Sequence, residues 1–177
     1  MAGRRRPDEG ASPIALVPWT DGHLPLLRGL NAPAMTRYLG GPESEEVLLA
    51  RHHRYVRASR EGGGPGVMYA VELPTGEVVG SVGYWERDWH GPVYETGWGV
   101  LAEYQGRGLA RSAMALLLDR AREEGDRRWM HAYPKVENLA SQALCRSLGF
   151  TERGVCDFEY PPGNPVRCVD WRLDLEG

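Results

Sequence analysis

The chain has 177 residues, enough for one domain with a sizeable core. Hydrophobic residues make up 42%, charged residues 25%, and the net charge is -3 with both signs interspersed, which argues against wholesale disorder and against a basic stripe for nucleic acid. No apolar run approaches membrane-spanning length, and Cys145, Cys156 and Cys168 lack the CxxC spacing of a zinc site or redox pair, so a cytoplasmic, metal-free protein without disulfides is expected.

Arg4-Arg5-Arg6 resembles the basic end of an export signal, but Pro7, Asp8 and Glu9 follow it and the apolar residues 14–17 are too few for a signal core. Residues 1–12 therefore read as a flexible tail and residues 13–177 as one domain. Residues 14–19 read as a strand. Asp21 is placed to cap a short helix through Leu30, and Pro42 and Glu43 open a second helix toward Arg60. The glycine-rich stretch 61–66 reads as a loop. A hairpin follows, with strands 67–73 and 77–85 joined at Pro74-Thr75-Gly76. A loop around 88–92 leads to a strand at 93–101. The period then becomes helical, with Leu109, Ala113, Met114, Leu117 and Ala121 on one face, until Gly125. Residues 129–133 form a short strand, 138–147 a helix stopped by Gly149, and 151–160 and 166–175 two strands around Pro161-Pro162-Gly163-Asn164. The order β-α-α-β-β-β-α-β-α-β-β gives a single α/β domain with a mixed sheet.

The decisive segment is Gln105-Gly106-Arg107-Gly108-Leu109-Ala110, which leaves a strand and opens a helix. Glycines there let the backbone turn tightly and approach a ligand. The first helical turn presents N–H groups without partners and the positive end of the dipole, which together suit a pyrophosphate. Arg107 and Arg111 add charge. A tight turn with no ligand is equally compatible with these residues taken alone. Other glycine patterns are misplaced: Gly97-Trp98-Gly99 lies inside a strand, and Gly62 to Gly66 lacks the Gly-Lys-Ser/Thr ending of a phosphate loop.

Gln105, Gly108 and Ala110 match the Q/R-x-x-G-x-G/A signature of the GCN5-related N-acetyltransferase (GNAT) family, which the chain resembles from about residue 14 to 175. A second match follows about thirty residues on, at Asn138-Leu139-Ala140-Ser141, Leu144 and Leu148-Gly149-Phe150, in a form similar to the ribosomal-protein-alanine acetyltransferase (RimJ/RimL) branch. The resemblance implies a mostly antiparallel sheet of about seven strands, helices on both faces and two splayed parallel strands at the centre. It implies acetyl-CoA as cosubstrate, with pyrophosphate on the amides of 106–110 and the pantetheine arm between strands 94–101 and 129–133. Trp98, Val100, Gln105, Gly106, Arg107, Gly108, Leu109, Ala110, Arg111, Asn138 and Ser141 are then the cofactor-binding residues. It implies direct attack of a primary amine in a ternary complex, and relatives are often homodimers.

Amide formation needs a group to take the amine proton and one to protonate the departing thiolate. Glu95, in the strand before the cradle, is the candidate base, with an ion pair to an arginine as the alternative. Cys145 stands where many family members carry a tyrosine acid. A small packed residue is the stronger reading there, and Tyr133 on the next strand is a substitute acid. Asn138 also suits a helix cap, and Ser141 follows one turn later. Trp85, Tyr38 and Glu95, with Asp157 and Glu159 from another wall, are candidates for holding a cationic acceptor. The segment from Tyr84 to His90 is read as a loop at that wall. His52 and His53 are adjacent on a helix and point apart, which argues against a metal site. The residues leave open the acceptor amine, a longer acyl donor, and a module that binds acyl-CoA without turnover.

Overall fold

The computed structural model describes residues 13–61 and 66–177. The expected tail at 1–12 and most of the expected loop at 61–66 lie outside the described residues. Seven strands form one sheet in the order β1-β2-β3-β4-β5-β7-β6. They are β1 (Ala15–Pro18), β2 (Gly66–Glu72), β3 (Val78–Asp88), β4 (Pro92–Val100), β5 (Trp129–Ala132), β6 (Thr151–Glu159) and β7 (Pro165–Asp174). All neighbours are antiparallel except β4 and β5. Parallel neighbours need a long crossover, supplied here by helix α4 (Leu109–Glu124).

Strand side chains alternate between two faces, and each face has its own core. On one, α4 and α5 (Leu139–Ser147) cover Val82, Tyr84, Tyr94, Met130 and Trp171. On the other, α1 (Leu24–Leu30) and α3 (Glu45–Glu61) pack Trp19, Leu26, Leu27, Leu48 and Val56 onto Met68 and Ala70. The helical period in α4 is therefore the burial period, since Leu109, Ala113, Met114, Leu117, Leu118 and Ala121 are all buried. Gly125 ends α4 with φ 67°, a left-handed cap that glycine adopts without a Cβ penalty.

Several expectations need correction. The segment from Tyr84 to His90 is not a loop. β3 runs on to Asp88 because each of its residues from Gly80 pairs with β4, down to Asp88 against Pro92. The reversal takes only Trp89, His90 and Gly91, closed by Trp89 N–H to Gly91 C=O at 2.9 Å. A short helix, α2 (Pro33–Thr36), was not expected, and Thr36 is buried in it. Asp21 does not cap α1; it begins a separate turn of 3-10 helix whose N-cap is Thr20. Glu43 lies ahead of α3, where Asn31 Oδ1 accepts from its N–H at 2.9 Å, and Ser44 Oγ accepts from Val47 N–H at 3.3 Å instead.

His52 and His53 do point apart. His52 is 3% exposed and its Nδ1 accepts from the Trp19 indole N–H at 3.1 Å, whereas His53 is exposed. Burial lowers the His52 pKa below its ordinary 6.5, and neighbouring His53 adds to the shift. A depressed folded value means that the unfolded chain takes the proton first, so this contribution to stability is full above about pH 6.5 and is lost as pH falls through the folded value. His52→Gln is expected to cost about 1 kcal/mol at pH 7.5, the net worth of such a hydrogen bond. Denaturant melts should show that gap shrinking toward pH 5; a constant gap would show that His52 is not linked to stability through its proton.

Candidate active site

The site begins where β4 and β5 part. Their pairing is confined to Tyr94 with Met130 and Glu95 with His131. After Ala132 the chain stays with β7 rather than β4. Pro134 C=O accepts from Val169 N–H at 2.9 Å, Lys135 bridges Cys168, and Val136 N–H reaches Arg167 C=O at 3.2 Å. Residues 96–100 of β4 thus have no β5 partner. A cleft opens there, with Trp98 half-buried and Val100 buried on the α4 side.

The expected cradle closes the far end of this cleft. Gly106 and Gly108 have φ of 75° and 74°, and a Cβ on either would meet nothing within 4 Å. That open space is what a ligand lying on the backbone requires. Gly108 is the N-cap of α4, and the first bond of the helix runs from Ser112 N–H to Gly108 C=O at 3.1 Å. The helix-end amides from Gly108 to Ala110 are therefore without intrahelical acceptors. Leu109 contributes only its backbone, since its side chain is 3% exposed in the core, and Ala110 is half-buried. Gln105 does a structural job: its Nε2 donates to Val100 C=O at 2.9 Å and ties the loop to the end of β4. Arg107 donates to Glu103 C=O at 3.1 Å and stacks on Tyr104, while Arg111 is exposed in the first turn of α4. Across the cleft, Asn138 Oδ1 accepts from Ser141 N–H at 3.2 Å, so Asn138 caps α5 and keeps its Nδ2 for another partner.

At the fork itself, Glu95 is 8% exposed and faces the α1 and α3 side. Trp85 is directly opposite it on β3 and shares that face, with its ring lying over Gly97, where a Cβ would come within 3.1 Å. Two residues further along β3, Arg87 Nη1 donates to Glu95 Oε2. The guanidinium is walled by aromatic rings, with Cζ 4.5 Å from the centroid of Phe158, 5.6 Å from Tyr133 and 5.7 Å from Trp89. Tyr133 stacks on Phe158 at 4.8 Å, and its buried hydroxyl has no hydrogen-bond partner among the described residues. Burial raises its pKa well above the usual tyrosine range, which holds the hydroxyl protonated.

Other expected residues fall elsewhere. Cys145 is fully buried in the α5 core, and burial pushes its thiol up to about 12, so it is a packing residue rather than part of the group at Glu95. Tyr38 follows α2 and its hydroxyl is held by Arg37 Nη2 at 2.5 Å. Asp157 is exposed, and Glu159 Oε2 accepts from Gly163 N–H at 3.3 Å inside its own turn. The sequence reading missed Arg87 and Phe158. An unidentified arginine partner for Glu95 was anticipated, but choosing Arg87 needed the β3–β4 register.

The family model for the acetyltransferase (GNAT) domain matches residues 14–151. The chain belongs to this family. It is a single GNAT domain, an N-acetyltransferase that takes its acetyl group from acetyl-CoA. No curated protein sequence matches the chain. Among solved structures it is similar to a spermidine N-acetyltransferase from Vibrio cholerae in complex with CoA and spermine, at 20% identity over 92% of this chain and 96% of that one, with a TM-score of 0.76. It is also similar to a Salmonella typhimurium acetyltransferase that modifies the N-terminal serine of a 50S ribosomal subunit protein, at 19% identity over 93% and 96%, TM-score 0.73. A third is an acetyltransferase from Agrobacterium tumefaciens, at 21% identity over 98% and 97%, TM-score 0.72.

The residues at the end of the GNAT cleft fit a coenzyme A pyrophosphate, because two glycines leave space where side chains would stand and helix-end amides face it. Gly108→Val would place a branched side chain in that space and force it into the left-handed region, at a cost of about 1–3 kcal/mol. Calorimetric titration is expected to show coenzyme A binding weakened about tenfold or more, because the side chain stands where the ligand would lie. Equal affinity in a folded variant would overturn the cradle.

Proposed function

We propose that Glu95 removes the proton from a primary amine as the amine attacks the acetyl thioester directly in a ternary complex. The single observation that carries this reading is the position of Glu95, buried at the last paired residue of β4 before the cleft opens. Arg87 occupies Oε2 and fixes the carboxylate plane, which leaves Oε1 to accept from the ammonium or from a bridging water. Trp85, opposite, supplies an apolar wall. Acetyl-CoA supplies an activated acetyl group on a thioester. The backbone of Gly108, Leu109 and Ala110 holds its pyrophosphate, Asn138 and Ser141 border its arm, and Tyr133 is the proton donor for the leaving thiolate. Tyr133 is preferred to Cys145 because its hydroxyl is protonated, half-buried and unpartnered among the described residues.

The acceptor is a small-molecule or peptide amine, and the protein works in the cytoplasm as a homodimer. Among the described residues no helix is long and apolar enough to cross a membrane. β6 is one of the two edge strands of the sheet and exposes Val155, which suits pairing with a second copy.

Glu95→Gln keeps shape and a hydrogen bond to Arg87 but cannot act as a base. The rate of acetyl transfer is expected to fall roughly a hundredfold or more, in line with typical acid–base contributions, and to recover in part at high pH, where more amine is neutral. Normal turnover per folded molecule, with or without a lower melting point, would reduce the Arg87–Glu95 pair to a structural role. Cys145→Ala is expected to keep turnover and to lose about 1 kcal/mol or more of stability from the small cavity it leaves. A kinetically competent acetyl group trapped on Cys145 would overturn that assignment.

A further inference from the structure

A cavity of about 310 Å³ opens on the sheet face that carries Glu95, on the side away from the cleft. Its floor is Val93, two residues before Glu95 on the same face of β4, and His131, the register partner of Glu95 on β5. Trp89 and Trp129 also line it. Trp89 also borders the Arg87 guanidinium, so the cavity and the Glu95 group share a wall.

The charge of this cavity is positive. Arg153 and Arg172 both line it, and neither forms an ion pair with a described residue. One carboxylate, Asp170, also lines the cavity, with its Oδ1 hydrogen-bonded to His131 Nδ1 at 2.6 Å, so the two arginines outnumber it; Asp174 pairs with Arg128 at 2.9 Å. Arg172 lies over the Trp129 ring, with Cζ 4.0 Å from a ring centroid. Stacking occupies the face of a guanidinium and leaves its N–H edge for a planar oxyanion. On the other side of the shared wall, the Glu95 carboxylate is neutralised by Arg87. The face as a whole therefore lacks the surplus of unpaired carboxylates that a polycation would need.

We propose that this cavity binds an oxyanion carried by the acceptor, making the substrate class a primary amine with a carboxylate or phosphate at its far end. The assignment rests on the reading of Glu95 as the base. His131 is the register partner of both Glu95 and Arg172, so the carboxylate and the guanidinium stand on strands two spacings of ~4.8 Å apart, and an amine and an oxyanion held between them are separated by roughly 5–10 Å. An extended ω-amino acid of about six carbons falls in that range, and an α-amine and its own carboxylate fall short of it.

The test is thiol release from acetyl-CoA with acceptors of matched length: aminohexanoate, hexylamine and diaminohexane, with aminopentyl phosphate to separate carboxylate from phosphate. The expected kcat/KM for one of the two anionic amines is about tenfold or more above that for hexylamine and diaminohexane. That ratio should fall toward one in Arg172→Gln and in Arg153→Gln, and Arg172→Lys should keep part of it. Calorimetric binding of hexanoate in the presence of coenzyme A reads the cavity without turnover, and Arg172→Gln should abolish it. Diaminohexane turned over as well as the anionic amines, or a ratio unchanged in both glutamine variants, would overturn the proposal. Glu95-dependent turnover without anion preference would reject the cavity and keep the catalytic reading. Hexanoate binding lost in Arg172→Gln, together with an Glu95→Gln enzyme of normal rate, would do the reverse.

Discussion

Everything at the site depends on how little of β4 and β5 is paired. Two residue pairs join them, and then the chain after Ala132 gives its hydrogen bonds to β7 instead. A strand in the middle of a sheet normally spends its backbone groups on two neighbours. From Thr96 onward, β4 has only β3. The unspent edge is what a ligand can use, and it exists because β5 is short and Pro134 and Lys135 follow the other neighbour. The same fork positions Glu95, the last residue of β4 held on both sides.

That fork also divides the molecule by face. The cleft, the cradle at Gly106 and Gly108, and the cap of α5 lie with α4 and its core. Glu95, Arg87, Trp85 and the cavity around Arg172 lie on the opposite face. Strand alternation forces this arrangement: Trp98 and Val100 share parity with Tyr94, while Glu95 shares parity with Val93 and Gly97. On the proposed roles, a donor held from one face and an acceptor arriving from the other would meet at the gap between the strands.

Arg87 shows why the two readings of Glu95 are not rivals. A buried carboxylate needs a partner, and a general base needs a fixed orientation with an oxygen left over. One guanidinium on one oxygen serves both needs. The aromatic rings of Trp89, Tyr133 and Phe158 around Arg87 hold the guanidinium in turn and restrict water. The stability of this corner and its proposed chemistry therefore share the same contacts.

Most of the elements, and the Gly-x-Gly turn that opens α4, are legible in the sequence. Local signals suffice for these: a period of two or 3.6, a Gly-x-Gly turn between strand and helix, and a capping Asn138. Each depends on neighbours a few residues away. The end of β3 is not legible in the same way, because Glu86, Arg87 and Asp88 look like a loop until β4 is laid beside them. Which arginine meets Glu95, the burial of Cys145 in the core, and the gathering of Arg153, Arg172 and Trp129 beside His131 come from the fold. These groupings join strands that are far apart in the chain, and a shift of one residue in register would send each side chain to the opposite face. Register is set by the packing of both cores at once, so no single segment of the sequence carries it.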